Sequence, residues 1–342
     1  MKKIFWTIDI ECHDLSRRNQ YIDGNLKDGT NCGLEYILKI AERNNIPVNC
    51  FLDIPEVKKY GEDYINSVIS LIRKYNQNIY LHLHPDYITG DHNRSFLWQY
   101  SFEEKKTILK EGFELYKKYV GEDVTSFRIG RYGADEDMYK ALDELGYSVK
   151  DLSYCYNNPH MCHLPYEKVC SYNKVTKIHN QYILPNTRYI GLIWWKRDVC
   201  IGIDADNTTF NEFCRYLNSS HLNSITITMH SWEFIKKVFF LKKYICLNKS
   251  KQRKFERMIE FAKAKGYVFS DLKESFDPND IEEQDELIDM CSGIKGKIMM
   301  FPNNFERFGS IALLDRKYFV IYSFFYIIVT ILLMGLLVVL LK

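Results

Sequence analysis

The strongest constraint on this chain is an alternation that runs from residue 3 to about residue 275. Short apolar runs take turns with longer stretches whose apolar residues recur at helical spacing. Lys3–Ile8, Ile46–Asp53, Asn78–Pro85, Val124–Arg128, Tyr147–Leu152, Val199–Ile203, Ser224–Met229 and Tyr267–Ser270 read as strands. Between them, Asn31–Asn44, Tyr60–Tyr75, Ser101–Val120, Asp135–Leu145, Thr208–Leu217 and Ser250–Lys265 read as helices. Ser101 with Glu104 three residues on is a capping box, and Gly146 and Gly266 are helix stops. Strand–helix alternation of this length predicts a parallel α/β sheet or barrel. Asp86–Gln99 reads as a loop over one end, with His92 on the surface, and Ser153–Arg197 as an insertion with one or two extended pieces that walls a cleft.

In parallel α/β architectures, sites form at the carboxyl ends of the strands. His82 and His84 lie two apart in the apolar run ending at Pro85, so they share one face of a strand. They are either half of a metal site or two strand histidines with ordinary hydrogen bonds. Asp9 and Glu11 share a face in the same way, as a solvated strand end or as site carboxylates. Arg128, Asp151 and His230 also fall at expected strand ends. So many chemically active side chains converging on one rim point to an enzyme. The insertion holds His160, Cys162, His163, Cys170 and His179, but their spacing matches no common metal template.

Composition excludes some classes. The 342 residues carry 46 Lys plus Arg against 44 Asp plus Glu, a balance that gives no reason to expect a nucleic-acid partner. Ten scattered cysteines without a CxxC pair read as reduced thiols in a reducing compartment. The first apolar run ends at Asp9, too short for a signal-peptide core. Tyr318–Leu341 is uncharged and long enough to cross a bilayer as a helix. Arg307, Arg316 and Lys317 precede it and Lys342 follows, which puts the large N-terminal part on the cytoplasmic side. The expected organisation is a catalytic domain at 1–276, a linker or stalk at 277–317 and a single membrane anchor at 318–341.

Taken in order, five stretches resemble the motifs of the polysaccharide deacetylase family, the carbohydrate esterases with a NodB-type distorted (β/α) barrel. They are Thr7-Ile8-Asp9-Ile10-Glu11, His82-Leu83-His84-Pro85, Phe127-Arg128-Ile129-Gly130-Arg131-Tyr132-Gly133, Gly146-Tyr147 with Asp151 and Ser153, and Met229-His230-Ser231-Trp232. The resemblance spans about residues 1–275. It implies a metal-dependent hydrolase that removes an acyl group, chiefly acetyl, from a sugar. Asp9 would be the base, Arg128 would orient it, and His230 would be the acid, held charged by Asp151. Glu11, His82 and His84 would bind one divalent metal, Zn2+ first, with Co2+, Ni2+ or Mn2+ as alternatives. Tyr132 and Trp232 would line the sugar site. The chain departs from the family pattern at three places. Glu11 stands for an Asp with one residue inserted, the two histidines are closer together than usual, and the usual prolines are missing from the third motif. The shorter histidine spacing leaves Asp86 open as a replacement for one of them. The departures also leave a second reading, an inactive glycan-binding or scaffold module at the membrane. With the domain facing the cytoplasm, the expected substrate is a lipid-linked or nucleotide-linked glycan precursor.

Overall fold

The computed structural model describes residues 1–193, 196–238, 241–273, 284–292 and the single positions 303, 327 and 331. The strands are β1 (Lys3–Ile10), β2 (Asn49–Asp53), β3 (Ile79–Leu83), β4 (Ser126–Ile129), β5 (Lys150–Asp151), β6 (Thr176–Ile178), β7 (Gln181–Ile183), β8 (Arg188–Ile193), β9 (Lys196–Gly202), β10 (Ser224–His230), β11 (Ile235–Val238), β12 (Leu241–Leu247) and β13 (Val268–Phe269). The helices are α1 (Leu34–Asn44), α2 (Val57–Tyr60), α3 (Glu62–Lys74), α4 (Pro85–Thr89), α5 (Phe102–Val120), α6 (Glu136–Glu144), α7 (Tyr166–Val169), α8 (Phe210–Ser219) and α9 (Lys249–Ala264).

The main sheet runs β10-β1-β2-β3-β4-β5-β7-β6, with β13 paired to the start of β1. Its pairings are parallel except for the β6–β7 hairpin. The sheet curls into a half barrel with helices outside. Its open side is bridged by irregular chain rather than a strand. Leu184 N donates to Asp151 O, Ile203 N to Thr187 O, and Thr228 N to Ile203 O. This is the parallel-strand, helix-flanked architecture of a distorted (β/α) barrel.

Both faces of the central strands are buried, so their sequences are continuously apolar rather than alternating. One face of β1 sends Trp6, Ile8 and Ile10 under the helices, and Trp6 meets Phe255 of α9 at a centroid distance of 4.7 Å. The other face fills the barrel in layers. Phe5, Phe51, Tyr80, Leu152, Leu184 and Leu272 form an apolar floor. One layer nearer the carboxyl ends, the same face carries Thr7, Asp9, Asp53, His82 and Arg128. The apolar floor thus supports a polar site.

Several expectations change. Asp86–Gln99 is not wholly a loop, since Pro85 and Asp86 open the one-turn helix α4 with Asp86 buried; His92 is exposed as expected. The Ser153–Arg197 insertion holds the β6–β7 hairpin, α7 and the start of the β8–β9 hairpin. The β11–β12 hairpin falls where no strand was expected. Residues 284–292, inside the stretch expected as linker, pack on the body. The Asp285 carboxylate accepts from the backbone N–H groups of Tyr172, Asn173 and Lys174, and Met290 is buried. All ten cysteines are free thiols. No helix among the described residues is long and apolar enough to cross a membrane. The expected span at Tyr318–Leu341 lies outside the described residues except for the single positions 327 and 331.

Candidate metal and active site

The carboxyl ends of β1, β3, β4 and β10 meet in a cavity of about 290 Å³. Register places Asp9 beside His230, and His82 between Asp53 and Arg128. The walls are Asp9, Glu11, His82, His84, Arg128 and His230, with His13, Arg131, Tyr132, Met161 and Trp232 completing the lining.

Glu11, one residue past β1, and His82 and His84, at the end of β3, are all buried, and their donor atoms lie within 4.8 Å of one another. His84 Nε2 is 2.9 Å from Glu11 Oε2 and 3.1 Å from His82 Nε2. Glu11 Oε2 is nevertheless a buried oxygen without a well-formed hydrogen bond. Burying an unsatisfied carboxylate oxygen is costly. A divalent cation would remove that cost, and one carboxylate with two imidazoles is a donor set such ions accept with positions left open. The residues therefore fit a metal. Burial by itself would raise the Glu11 carboxyl, but His84, His82 and His230 hold it well below the usual range. Burial pulls the His82 imidazole down to about 4, which keeps it neutral and able to ligate. His82 Nδ1 lies 3.0 Å from the Arg128 carbonyl, so it must donate there, which leaves the Nε2 lone pair facing the cluster. Among the described residues this is the one His, Cys, Asp and Glu group with such geometry.

Asp86 is not in that group. It lies behind His84, 3.8 Å from Nδ1, and binds His92 Nδ1 at 3.2 Å. The residues of the insertion are not in it either. His163 stacks on Trp98 at 3.9 Å, His179 pairs with Asp143, and Cys162 is buried.

Asp9 and Arg128 form the second part. Arg128 Nη1 donates to Asp9 Oδ1 at 2.5 Å, Nη2 to Thr7 Oγ1 at 2.8 Å, and Nε to Leu152 O at 3.2 Å. Its guanidinium also lies over the Phe51 ring, 4.6 Å from the centroid. A fully buried arginine held at every edge has one orientation, and it fixes Asp9 beside the candidate metal ligands.

His230 is partly exposed, with Nε2 3.7 Å from Glu11 Oε1 and its ring stacked on Trp232 at 4.5 Å. The expected Asp151–His230 contact is not made. Asp151 is fully buried on β5, where its carboxylate takes Tyr139 Oη at 2.5 Å and the Ser153 N–H at 3.0 Å, and it does not line the cavity. Burial pushes its carboxyl up to about 6 against those hydrogen bonds. Its work is to tie β5 to α6. Tyr132 lines the cavity, its hydroxyl accepting from Asn186 at 3.0 Å.

Sequence reasoning missed His13, Arg131 and two buried acids behind the site, Asp53 and Glu56. His13 continues the alternation of Asp9 and Glu11, a signal that was available. Arg131 stood in the third motif without a role.

No protein-family model and no curated protein matches the chain. Solved structures do resemble it. One is a CE4 family pseudoenzyme from Bacillus anthracis, 12% identical, matched over 81% of this chain and 66% of that one, with a TM-score of 0.44. Another is a family 4 carbohydrate esterase from Streptomyces lividans in complex with acetate, 9% identical over 79% and 93% of the two chains, TM-score 0.41. A third is a family 4 acetyl xylan esterase from Clostridium thermocellum in complex with a cobalt ion, 11% identical over 80% and 89%, TM-score 0.42. These neighbours are CE4 esterases and a pseudoenzyme.

Proposed function

We propose that the protein is a metal-dependent hydrolase that removes an acyl group, chiefly acetyl, from a sugar. The observation that carries this is the buried Glu11–His82–His84 donor triangle set directly beside the Asp9–Arg128 pair and His230. A divalent ion bound there, Zn2+ first among the candidates, would polarise an acyl oxygen and acidify a water. Asp9, aligned by Arg128, takes the proton of the attacking water. His230, the register partner of Asp9 on the neighbouring strand β10, gives a proton to the departing nitrogen or oxygen of the sugar. Trp232 holds the His230 ring by stacking. Tyr132 and Trp232 narrow the cleft and exclude water. A second cavity of about 300 Å³ adjoins the first and shares Tyr132 and His230 with it; Asn158, Asn186 and Asp204 in its wall suit the hydroxyls of the leaving sugar.

The membrane part of the reading rests on the uncharged Tyr318–Leu341 segment and the basic residues before it. It makes the substrate a lipid-linked or nucleotide-linked acyl sugar on the cytoplasmic face. Cleavage of the domain by protease added to intact cells would contradict that placement.

The chemistry is tested with Zn2+-loaded full-length protein on a panel of N- and O-acetylated sugars. Asp9→Asn and His230→Ala should each lower kcat by about 10²- to 10⁴-fold with the metal retained. Unchanged rates in both would refute the assigned roles. The competing reading, an inactive module that keeps the cleft, has one observation in its favour, the contact between Arg131 and His84.

A further inference from the structure

Two arginines line the cavity, and they are held differently. Arg128 is fully buried and spends every edge of its guanidinium on Asp9, Thr7 and Leu152. Arg131 stands on the turn after β4, with 33% of its side chain exposed. Arg131 and Tyr132 both have left-handed backbones, with φ of 56° and 54°. Two consecutive non-glycine residues in that region cost strain, which the surrounding structure must hold. Gly133 N donates to Gly130 O and Ala134 N to Tyr132 O, and these bonds close the turn. Strain kept at two side chains of one site points to a use for both of them there. Tyr132 has one, as a wall shared by both cavities.

The use of Arg131 follows from what its guanidinium has left to offer. Nη1 donates to Ser95 O at 3.1 Å, and it lies 3.5 Å from Asp86 Oδ1 and 3.0 Å from His84 Nδ1. Asp86 is in turn shared with His92. Nε and Nη2 of Arg131 make no hydrogen bond among the described residues. Neither is among the buried atoms without a partner, so both meet solvent. These two nitrogens form the side-on fork of the guanidinium. Its two parallel N–H donors match the two oxygens of a carboxylate or a phosphate. Of the two guanidinium groups in the lining, this is the one with donors to spare, and the anchored Nη1 and the closed turn hold it in place.

We propose that Arg131 recognises an anionic group of the substrate, so that the sugar taken into this cavity carries a carboxylate or a phosphate as well as its acyl group. The inference rests on the reading of the cavity as an acyl-sugar site and narrows that reading to charged sugars. A neutral acyl sugar leaves the fork to water and binds less tightly. A carboxylate comes with an acidic sugar, a phosphate with a nucleotide-linked or lipid-linked one.

The test uses three sugars with the same acyl group: N-acetylglucosamine, its 1-phosphate and N-acetylmuramic acid. Binding is measured by calorimetry on metal-free full-length protein, so that no bound ion can hold the anion. Wild type should bind one of the charged sugars about 10- to 100-fold more tightly than the neutral one, the worth of a charge-assisted pair. Preference for the phosphate would assign a nucleotide or lipid linkage, and preference for the carboxylate an acidic sugar. Arg131→Gly suits the left-handed backbone, so it should unfold at no lower urea concentration than wild type while losing the preference. Arg131→Lys keeps the charge without the fork and should retain only part of it. Equal binding of all three sugars by wild type, binding of none, or a preference that survives in Arg131→Gly would overturn the inference. Turnover by the Zn2+-loaded protein is a separate readout. No hydrolysis of any sugar, with the Arg131-dependent preference intact, would remove the hydrolase reading and leave the anion site standing.

Discussion

Gly130 is where the site depends most on a single missing atom. A methyl group there would meet the buried His84 ring at 2.6 Å, so the ring or the turn would have to shift. Gly130→Ala should therefore cost about 1–3 kcal/mol in denaturant unfolding and weaken Zn2+ binding by about 10- to 100-fold through displacement of His84. Wild-type affinity in that variant would mean that His84 is not a ligand. At this scale the site residues most open to sequence reading are those in local patterns. Asp9 with Glu11, and His82 with His84, stand two apart at the ends of apolar runs, so their shared face follows from strand geometry. Arg128 and His230 follow by the same logic. Asp151 was placed correctly at a strand end but given the wrong partner. The sequence shows a carboxylate at the rim and cannot show that Tyr139, twelve residues earlier on a helix, takes it. Asp53 and Glu56 escaped because burial of an acid is a tertiary fact.

Elements with strong local signals appear where expected. α5 has its capping box, with Ser101 and Glu104 satisfying each other, and β1, β3 and β10 keep their apolar runs. The hairpins β6–β7 and β11–β12 and the strand β8 were illegible because pairing, not amphipathic patterning, makes them, whereas β9 overlaps the strand expected at Val199–Ile203; β6 has no buried residue. The stretch at 284–292 is the clearest case of tertiary override. Its acidic composition reads as linker, yet Asp285 gathers three backbone N–H groups and Glu286 accepts from the His221 N–H. Asp285→Ala should release this segment. Hydrogen exchange should then show faster exchange at Tyr172, Asn173 and Lys174, with β1–β4 unchanged. Unchanged protection at those amides would mean that the segment is held by other contacts, such as Met290 in the core.

The whole molecule carries a pH dependence in its buried acids. Burial pushes the Glu56 carboxyl from its ordinary value near 4.5 up to about 8, against the hydrogen bonds from Tyr64 and the Cys12 N–H. The folded state thus binds a proton over a range in which the unfolded chain has released it. Stability should fall as pH rises from about 4.5 to about 8 and level off above. Glu56→Gln should flatten that fall in urea midpoints taken across the window. An unaltered slope would assign the dependence to another group, such as Asp53, whose carboxyl burial also raises. The alternation of strands and helices was enough to predict a parallel α/β sheet or barrel, whereas the closure through residues 184–187 and 203–204 was not, because those residues bond across the gap without forming a strand of regular pattern. The account as a whole turns on whether Glu11, His82 and His84 bind a metal. The direct measurement is metal content of the full-length protein after Zn2+ loading and removal of free ion, with Glu11→Ala and His82→Ala alongside. About one equivalent in wild type, lost in both variants, is the result predicted here. Absence of metal from wild type under every loading condition would contradict the hydrolase mechanism and leave a glycan-binding module as the better description.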